Sequence, residues 1–520
     1  MMWLNSVYSV FTMLGGLAVF MYGMKLMGDS LETVAGTRVK TMFAKLSDNR
    51  LKGVGIGMGV TALIQSSSAT TVMLVGFVNV GFLSLNQATA IIMGSNIGTT
   101  ITAQLSSLSG FQSFNITAIM SLIAGVGCVL YLFSKHDVKK HVGLILLGLG
   151  MLFIGLQLMS STMSSFAHNA DGTPTQFAAF MLNSFKNPIL NIIAGMLFTA
   201  VIQSSSAATG VLLAFASANI MTFDTAMFMI LGTNIGTCVT AIISSVGTSV
   251  NARRTATIHL LFNVLGTLIV LLPMLLWKME IANFFMNISG STQRAIANFH
   301  TIFNIINTII LFPFINQLVS LSKFIIKDKK VTETRAPKRL YYLDERLLHT
   351  PSIAVAQTLS EVKNMGDIAN YNLHAALNML MTGNSEKMPV MEHNEEILNY
   401  LNIEVTNYLV KFSGLEMTKK DETRIASLFH VIADVERIGD HAENIWKYAQ
   451  KMEKSEILFS ADAIAEIKAV DDTLSSMYVD TMNAFLTSNR AILAKIEQEE
   501  SSVDEAKRMM EKMHIERLNQ

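Results

Sequence analysis

The alternation of apolar and polar positions divides the chain near residue 330. Ahead of that point long apolar runs dominate. After it, apolar residues recur three and four apart between Glu and Lys, the pattern of helices in a soluble bundle. About 20 mostly apolar residues are needed to cross a bilayer, and runs of that kind lie near 6–28, 115–133, 142–160, 256–277 and 296–320. Regions 51–107 and 189–246 are as apolar but are interrupted by Gly, Ser, Thr, Asn and Gln. The first breaks into pieces at 51–64, 69–81, 85–93 and 99–107, and the second into matching ones. Pieces that short are expected to pair as re-entrant hairpins or broken helices, shielded from lipid by protein. Residues 29–50 read as an amphipathic helix on the cytoplasmic surface. In the polar part, helices are predicted near 352–382, 390–413, 418–451, 460–488 and 489–515.

The interruptions repeat. Thr61 to Ala69 (TALIQSSSA) returns as Thr199 to Ala207 (TAVIQSSSA), and Gly94 to Thr99 (GSNIGT) returns as Gly232 to Thr237 (GTNIGT). Both pairs sit at one offset of 138 residues. A fainter echo, Gly23 to Met27 against Gly155 to Met159, extends the duplication to the preceding helix.

Charge orients the copies. Residues 1–330 hold 18 Lys/Arg and 8 Asp/Glu, whereas residues 331–520 hold 21 and 31, so the net charge of zero is a cancellation. Basic residues gather at 25–52, at 135–140, at Arg253 and Arg254, and from 323 onward. The stretches 108–114 and 161–188 carry only Lys186. Basic loops stay on the cytoplasmic side, so threading gives seven crossings and two hairpins, with three crossings between the hairpins. An odd number inverts the second copy, an arrangement typical of alternating-access transporters. The expected fold is an all-α membrane protein, an inverted-repeat transporter with two re-entrant hairpins and two broken helices, plus a C-terminal soluble helical bundle. Its parts would be a membrane domain over 1–328, a linker over 329–350 and a cytoplasmic domain over 351–520. Within the membrane domain the repeats cover about 6–133 and 142–277, with an extra helix at 296–320. The N-terminus lacks the pattern of a cleaved signal, so the first apolar run is expected to be retained.

The candidate chemistry sits at the interruptions. Each Gln-Ser-Ser-Ser precedes a new half-helix, whose first turn exposes unpaired N–H groups and the positive end of its dipole. Ser66, Ser67, Ser68 and Ser204, Ser205, Ser206 would cap those helices and donate hydroxyls to a small oxyanion. The carbonyls of Gln65 and Gln203 suit a hard cation such as sodium. Gly in the two NIG motifs is expected to break the crossing helices, with Asn96, Thr99, Asn234 and Thr237 supplying oxygens. Thr100 faces Cys238 in the other copy and makes the two halves unequal. For the Gln-Ser-Ser-Ser runs the competing explanation is close helix packing through Ser and Thr, and for the two NIG motifs it is a helix kink that holds no ligand. A further pair, His259 with Asn263 and His300 with Asn304, fits a proton relay or substrate contact. It fits as well a His and an Asn four apart satisfying each other. No Asp or Glu lies deep in an apolar run, which disfavours a carboxylate relay. No nucleophile–base pair is visible, which disfavours an enzyme. In the polar part Glu436 and Asp440 share a helix face and are candidates for a divalent metal, against a plain solvated face. The two cysteines, Cys128 and Cys238, read as small buried apolar residues.

The QSSSATT and QSSSAAT stretches, with GSNIGTT and GTNIGTC, resemble the type II sodium–phosphate cotransporter family over about residues 6–320, in particular its bacterial members with a C-terminal PhoU-like domain. That resemblance implies sodium-coupled uptake of inorganic phosphate across a bacterial inner membrane. Gln65 to Ser68 and Gln203 to Ser206 would line the phosphate and sodium sites, with Thr100 among the sodium residues. The tail resembles PhoU through NMGDIANYNLHAAL and DVERIGDHAENI, which implies phosphate signalling and metal binding by Glu436 and Asp440. It carries one complete three-helix unit and two helices of a second, whose metal motif is absent. The implied partners are phosphate, the bilayer and a signalling protein or second copy at the tail, with no nucleic acid. A competing reading makes the chain a membrane-anchored regulator that acts through the tail.

Overall fold

The computed structural model describes residues 2–44, 49–110, 115–169, 173–328, 338–349, 351–415, 417–487 and 489–519. Among them the structure is nearly all helical. It separates into two compact units, Met1–Lys330 and Val331–Gln520.

The first unit opens with α1 (Met2–Ala44), α2 (Arg50–Ile64), α3 (Ser67–Asn79) and α4 (Leu85–Ser107). It continues with α5 (Ile116–Phe133), α6 (Asp137–Ala167), α7 (Gln176–Ser184), α8 (Pro188–Ile202), α9 (Ser205–Ser217) and α10 (Phe223–Ser244). It closes with α11 (Val250–Leu276), α12 (Lys278–Ser289), α13 (Thr292–Leu311) and α14 (Ile315–Ile325). Among the described residues six spans are long and apolar enough to cross a membrane: Val7–Ala35 in α1, α5, α6, α10, α11, and Thr292–Ile325 across α13 and α14. A seventh is possible if α7 and α8, bent by 108°, count as one span. The chain is a multi-pass membrane protein.

Two expectations are corrected here. The Gly-x-Asn-Ile-Gly motifs do not break their helices, because α4 and α10 run unbroken for 23 and 22 residues. Their glycines serve packing instead. A Cβ at Gly94 would come 1.9 Å from the Val54 carbonyl oxygen, and one at Gly98 2.6 Å from that of Met58, both on α2. In the second copy Gly232 would meet Ile192 O at 1.9 Å and Gly236 would meet Met196 O at 2.4 Å, both on α8. Gly57 and Gly195 face back in the same way, 2.0 Å from Ile91 O and 2.2 Å from Met229 O. The glycines thus let two backbones touch, as small residues do in membranes. Nor, among the described residues, is the helix read over 29–50 a separate one, since α1 continues through that stretch to Ala44; residues 45–48 lie outside the described residues. Part of the linker, residues 329–337 and 350, lies outside the described residues, and the rest carries one short helical turn at Glu345–His349.

The core follows the same economy. Phe20, Leu152, Phe153, Phe228 and Phe299 fill one large apolar cluster. α1 and α6 approach through Gly16, Gly23, Gly148 and Gly155, and a Cβ at Gly155 would sit 2.4 Å from Phe20 N. Side-chain caps set where the short helices start: Asn49 accepts from Leu51 N and Lys52 N, and Asn187, just ahead of Pro188, accepts from Ile189 N and Leu190 N.

The second unit contains α15 (Pro351–Thr382), α16 (Met388–Val410), α17 (Lys419–Lys454), α18 (Ala461–Thr487) and α19 (Leu493–Leu518). Ala375, Met379, Met391, Ala442 and Trp446 form the apolar seam of α15–α17. Glu361 is buried and accepts from Tyr341 N at 2.8 Å and Tyr342 N at 2.6 Å, pinning the segment ahead of α15. α18 and α19 are joined by the paired bonds of Arg517 to Glu466, 2.7 and 3.0 Å.

The metal-binding role expected of Glu436 and Asp440 finds no support. Among the described residues no group of three or more His, Cys, Asp or Glu side chains is placed to hold a metal ion. Together with Glu443 they instead press on Glu395 of α16. Burial, then the negative charges of Asp440, Glu443 and Glu436, push its carboxyl up to about 7. A folded-state value above the ordinary 4.5 means that ionisation opposes folding. The cost is absent below pH 4.5, grows as pH rises and is complete above about 7, where it reaches roughly 1–3 kcal/mol. Glu395→Gln should therefore increase hydrogen-exchange protection of α16 and α17 at pH 8 and leave it unchanged at pH 4. Equal protection at both pH values would show that Glu395 carries no such strain.

Candidate functional site

The repeated motif builds the same turn twice. α2 ends on Gln65 in the left-handed region (φ 58°, ψ 21°), and α8 ends on Gln203 in the same state (φ 59°, ψ 23°). A non-glycine residue adopts this conformation only where its surroundings hold it. The next residue is extended, Ser66 at φ −145°, ψ 109° and Ser204 at φ −143°, ψ 108°. Ser66 Oγ accepts from Ala69 N and starts α3, and Ser204 Oγ accepts from Ala207 N and starts α9, each at 3.1 Å. Both turns therefore present a helix N-terminus lined with serine hydroxyls, a form suited to an anion. Neither Gln65–Ser68 nor Gln203–Ser206 contains Lys or Arg. The turns adjoin, with Ser68 Oγ 3.5 Å from the Gln203 carbonyl oxygen. Ser67 and Ser205 are buried, while Ser66, Ser68, Ser204 and Ser206 are half-buried.

The two surroundings differ. Gln65 is tied down: its Nε2 donates to Ala62 O at 2.5 Å, and its Oε1 accepts from Thr102 Oγ1 at 2.8 Å. Gln203 is exposed, and Thr240, at the position matching Thr102, donates to Thr237 O in its own helix. In the first copy Thr61 Oγ1 reaches both Thr70 Oγ1 (3.1 Å) and Ser95 Oγ (2.7 Å), lacing α2, α3 and α4 together. In the second copy Ala208 replaces Thr70, Thr233 turns to Ile230 O, and buried Thr199 Oγ1 is left without a partner.

The remaining sequence candidates lie on α4 and α10. Thr99, Thr100 and Thr237 donate to Ser95 O, Ile97 O and Thr233 O, which leaves hydroxyl lone pairs free to accept. Asn96 Nδ2 donates to Ile92 O. Asn234 is enclosed: its Nδ2 donates to Asn304 Oδ1 at 2.9 Å, and His300 Nε2 lies 3.1 Å from its Oδ1. Because Asn304 spends its own Nδ2 on His300 O, the chain of bonds requires the Nε2–H tautomer of His300. Cys238 Sγ, one turn on from Asn234, meets Asn263 Nδ2 at 3.3 Å. The paired His-x-x-Phe-Asn segments thus hold α10 from two sides. Their spacing was visible in the sequence, but the partner they share was not.

The Na+/Pi-cotransporter family profile matches residues 19–161 and 163–289, which include both turns and both Asn-Ile-Gly motifs. The chain belongs to the Na+/Pi-cotransporter family. The PhoU domain profile matches residues 362–449. The Escherichia coli (strain K12) protein YjbB, named for inorganic phosphate export, is 24% identical over 98% of this chain and 90% of its own length. Bacillus subtilis YqeW is 31% identical over 60% of this chain and 96% of its own. Human sodium-dependent phosphate transport protein 2B is 30% identical over 40% of this chain and 31% of its own. No solved structure matches. The family is one of transporters, and membership in it supports phosphate transport, with phosphate as the substrate.

Proposed function

We propose that the chain moves inorganic phosphate by sodium-coupled alternating access, with Ser66–Ser68 and Ser204–Ser206 holding the anion between them. The observation that carries this reading is the pair of superimposable, serine-capped turns that adjoin at 3.5 Å without a basic residue in either. A dianion held by such turns still needs positive charge, and each helix end supplies roughly half a unit. Sodium ions at Gln65, Gln203, Asn96, Thr99, Thr100, Asn234 and Thr237 would supply the remainder. The turns would be tips of re-entrant hairpins entering from opposite faces, as the two halves of an inverted repeat. The contrast between tethered Gln65 and exposed Gln203 fits a state closed on one side and open on the other.

The membrane would be the bacterial inner membrane, with the basic segments and the tail in the cytoplasm. The parts would be 1–328, 329–350 and 351–520, the last open to a signalling partner or a second copy. Sodium coupling would drive uptake under an inward gradient. The relative named for phosphate export fits similar machinery run the other way.

The test is labelled phosphate flux into proteoliposomes under inward and outward sodium gradients. Flux should follow the direction of the gradient. Equal flux with sodium and choline would defeat the coupling. A variant lacking residues 340–520 should retain the flux, since every proposed ligand precedes residue 340; a correctly inserted but inactive truncation would assign the tail an obligate role. Gln65→Gly suits the left-handed turn and removes the whole side chain, the amide included, without straining the backbone. It should weaken sodium activation several-fold, as Gln65→Ala should, without lowering the unfolding temperature. Unchanged activation in both variants would exclude the amide as a ligand.

A further inference from the structure

The crossing of α11 and α13 gathers polar atoms that the rest of the molecule leaves unpaired. Asn307 of α13 is fully buried, and neither its Oδ1 nor its Nδ2 has a hydrogen-bond partner. Its amide lies against Gly266 of α11, where a Cβ would meet Nδ2 at 2.2 Å and Oδ1 at 2.7 Å. Gly266 is flanked on one face of α11 by Asn263, three residues earlier, and by Thr267. Asn263 spends its Nδ2 on His259 O and Cys238 Sγ, so its Oδ1 remains unpartnered, and Thr267 Oγ1 is unpartnered as well. All three side chains are at least 97% buried. An amide carbonyl or hydroxyl sealed from water without a partner carries its full desolvation penalty. Two such side chains one turn apart on α11, on either side of the glycine against which a third packs from α13, point to an occupant.

The chemistry of the set says which. Asn263 Oδ1, Thr267 Oγ1 and Asn307 Oδ1 offer three oxygens with free lone pairs, a set that suits a cation, with Asn307 Nδ2 the one unpartnered amide donor beside them. None of the three carries a charge. Calcium and magnesium sites depend on carboxylates, and these residues offer none. A hard monovalent ion needs only neutral oxygens. The place is also connected to both repeats: Thr308, the next residue on α13, lies 3.3 Å from Met93 O of α4, and Asn304, one turn earlier, holds Asn234 of α10.

We propose that Asn263, Thr267 and Asn307, closing over Gly266, form a sodium site at the α11–α13 crossing, separate from the serine turns. The geometry stands alone, but naming sodium as its ion rests on the sodium-coupled reading above. Occupancy would lock α13 against α11, and through Asn304 and Thr308 would bear on the helices of both repeats.

The test uses the purified full chain without phosphate. Thermal unfolding is followed in sodium chloride and in N-methylglucamine chloride at equal ionic strength, with bound ²²Na⁺ counted in parallel. The wild type should unfold at a higher temperature in sodium. Asn307→Leu and Thr267→Val should each raise the sodium concentration for half-maximal stabilisation by about tenfold and lower bound sodium by about one ion per chain. If Asn307→Leu does not fold, Thr267→Val, which keeps the shape and removes only the hydroxyl, decides. Wild-type sodium affinity and stoichiometry in the variants would overturn the site. So would equal unfolding of the wild type in both salts, which would mean that the crossing holds water only. Sodium binding that the variants abolish, together with phosphate flux indifferent to sodium, would defeat the coupling and leave the site standing.

Discussion

Phosphate binding to the purified chain should weaken by about a hundredfold when sodium is replaced by choline, a coupling of ~2.7 kcal/mol and near the upper end of what linked ligands achieve. Neither serine turn contains Lys or Arg. An isolated charge moved into a low-dielectric site costs far more than binding can return. The two helix ends, α3 starting at Ser67 and α9 at Ser205, together offset about one unit, short of a dianion. The shortfall must come from co-bound cations, and reciprocity requires phosphate to tighten sodium by the same factor. Calorimetric titration in the two salts measures both directions. Equal phosphate affinity with and without sodium would remove the charge argument. A Lys or Arg found against the anion would relocate the compensation.

Gly94→Ala and Gly232→Ala should each destabilise the fold by about 3 kcal/mol or more, the top of the usual range for overpacking. The new methyl carbon would stand 1.9 Å from a backbone carbonyl oxygen, Val54 O in one case and Ile192 O in the other. A clash with a flexible side chain can be relieved by a rotamer change, but these oxygens belong to α2 and α8, so a whole helix must move. Each of those helices ends in the Gln turn, and phosphate flux should fall with stability. Gly125→Ala in α5 is the control, because nothing lies within 4 Å of a Cβ there. It should unfold like the wild type or slightly later. Unfolding of Gly94→Ala at the temperature of Gly125→Ala would show that close backbone contact is unimportant.

Both results bear on how one motif admits two readings. In the sequence, Gly beside Asn and Thr in an apolar run reads as an unwound helix, because glycine tolerates unusual backbone and polar residues need a reason to be in lipid. The structure spends the same glycines on helix contact and lets Thr99 and Thr237 satisfy their hydroxyls within their own helices. Those readings diverge only in what lies opposite. Gly94 faces Val54, some forty residues away in the chain, and no local pattern announces such a neighbour. The same holds for the tail, where Glu436 and Asp440 share a face as expected, yet Glu395 across from them turns the pair into a source of repulsion.

By itself the sequence determined the class of protein, the split into an apolar and a polar part, the duplication at an offset of 138 residues and the position of both Gln-Ser turns. These are local or periodic properties: hydropathy is additive along a run, a serine caps the helix it precedes, and a repeat is legible whatever it packs against. Tertiary structure alone decided that α4 and α10 stay whole, that Gln65 is tethered while Gln203 is not, and that Asn307 of α13 packs against Gly266 of α11. Each of these depends on which helix lies across a contact a few ångströms wide. At that range a single methyl group or amide changes the outcome, and the pattern along either strand of the contact reads the same in both cases.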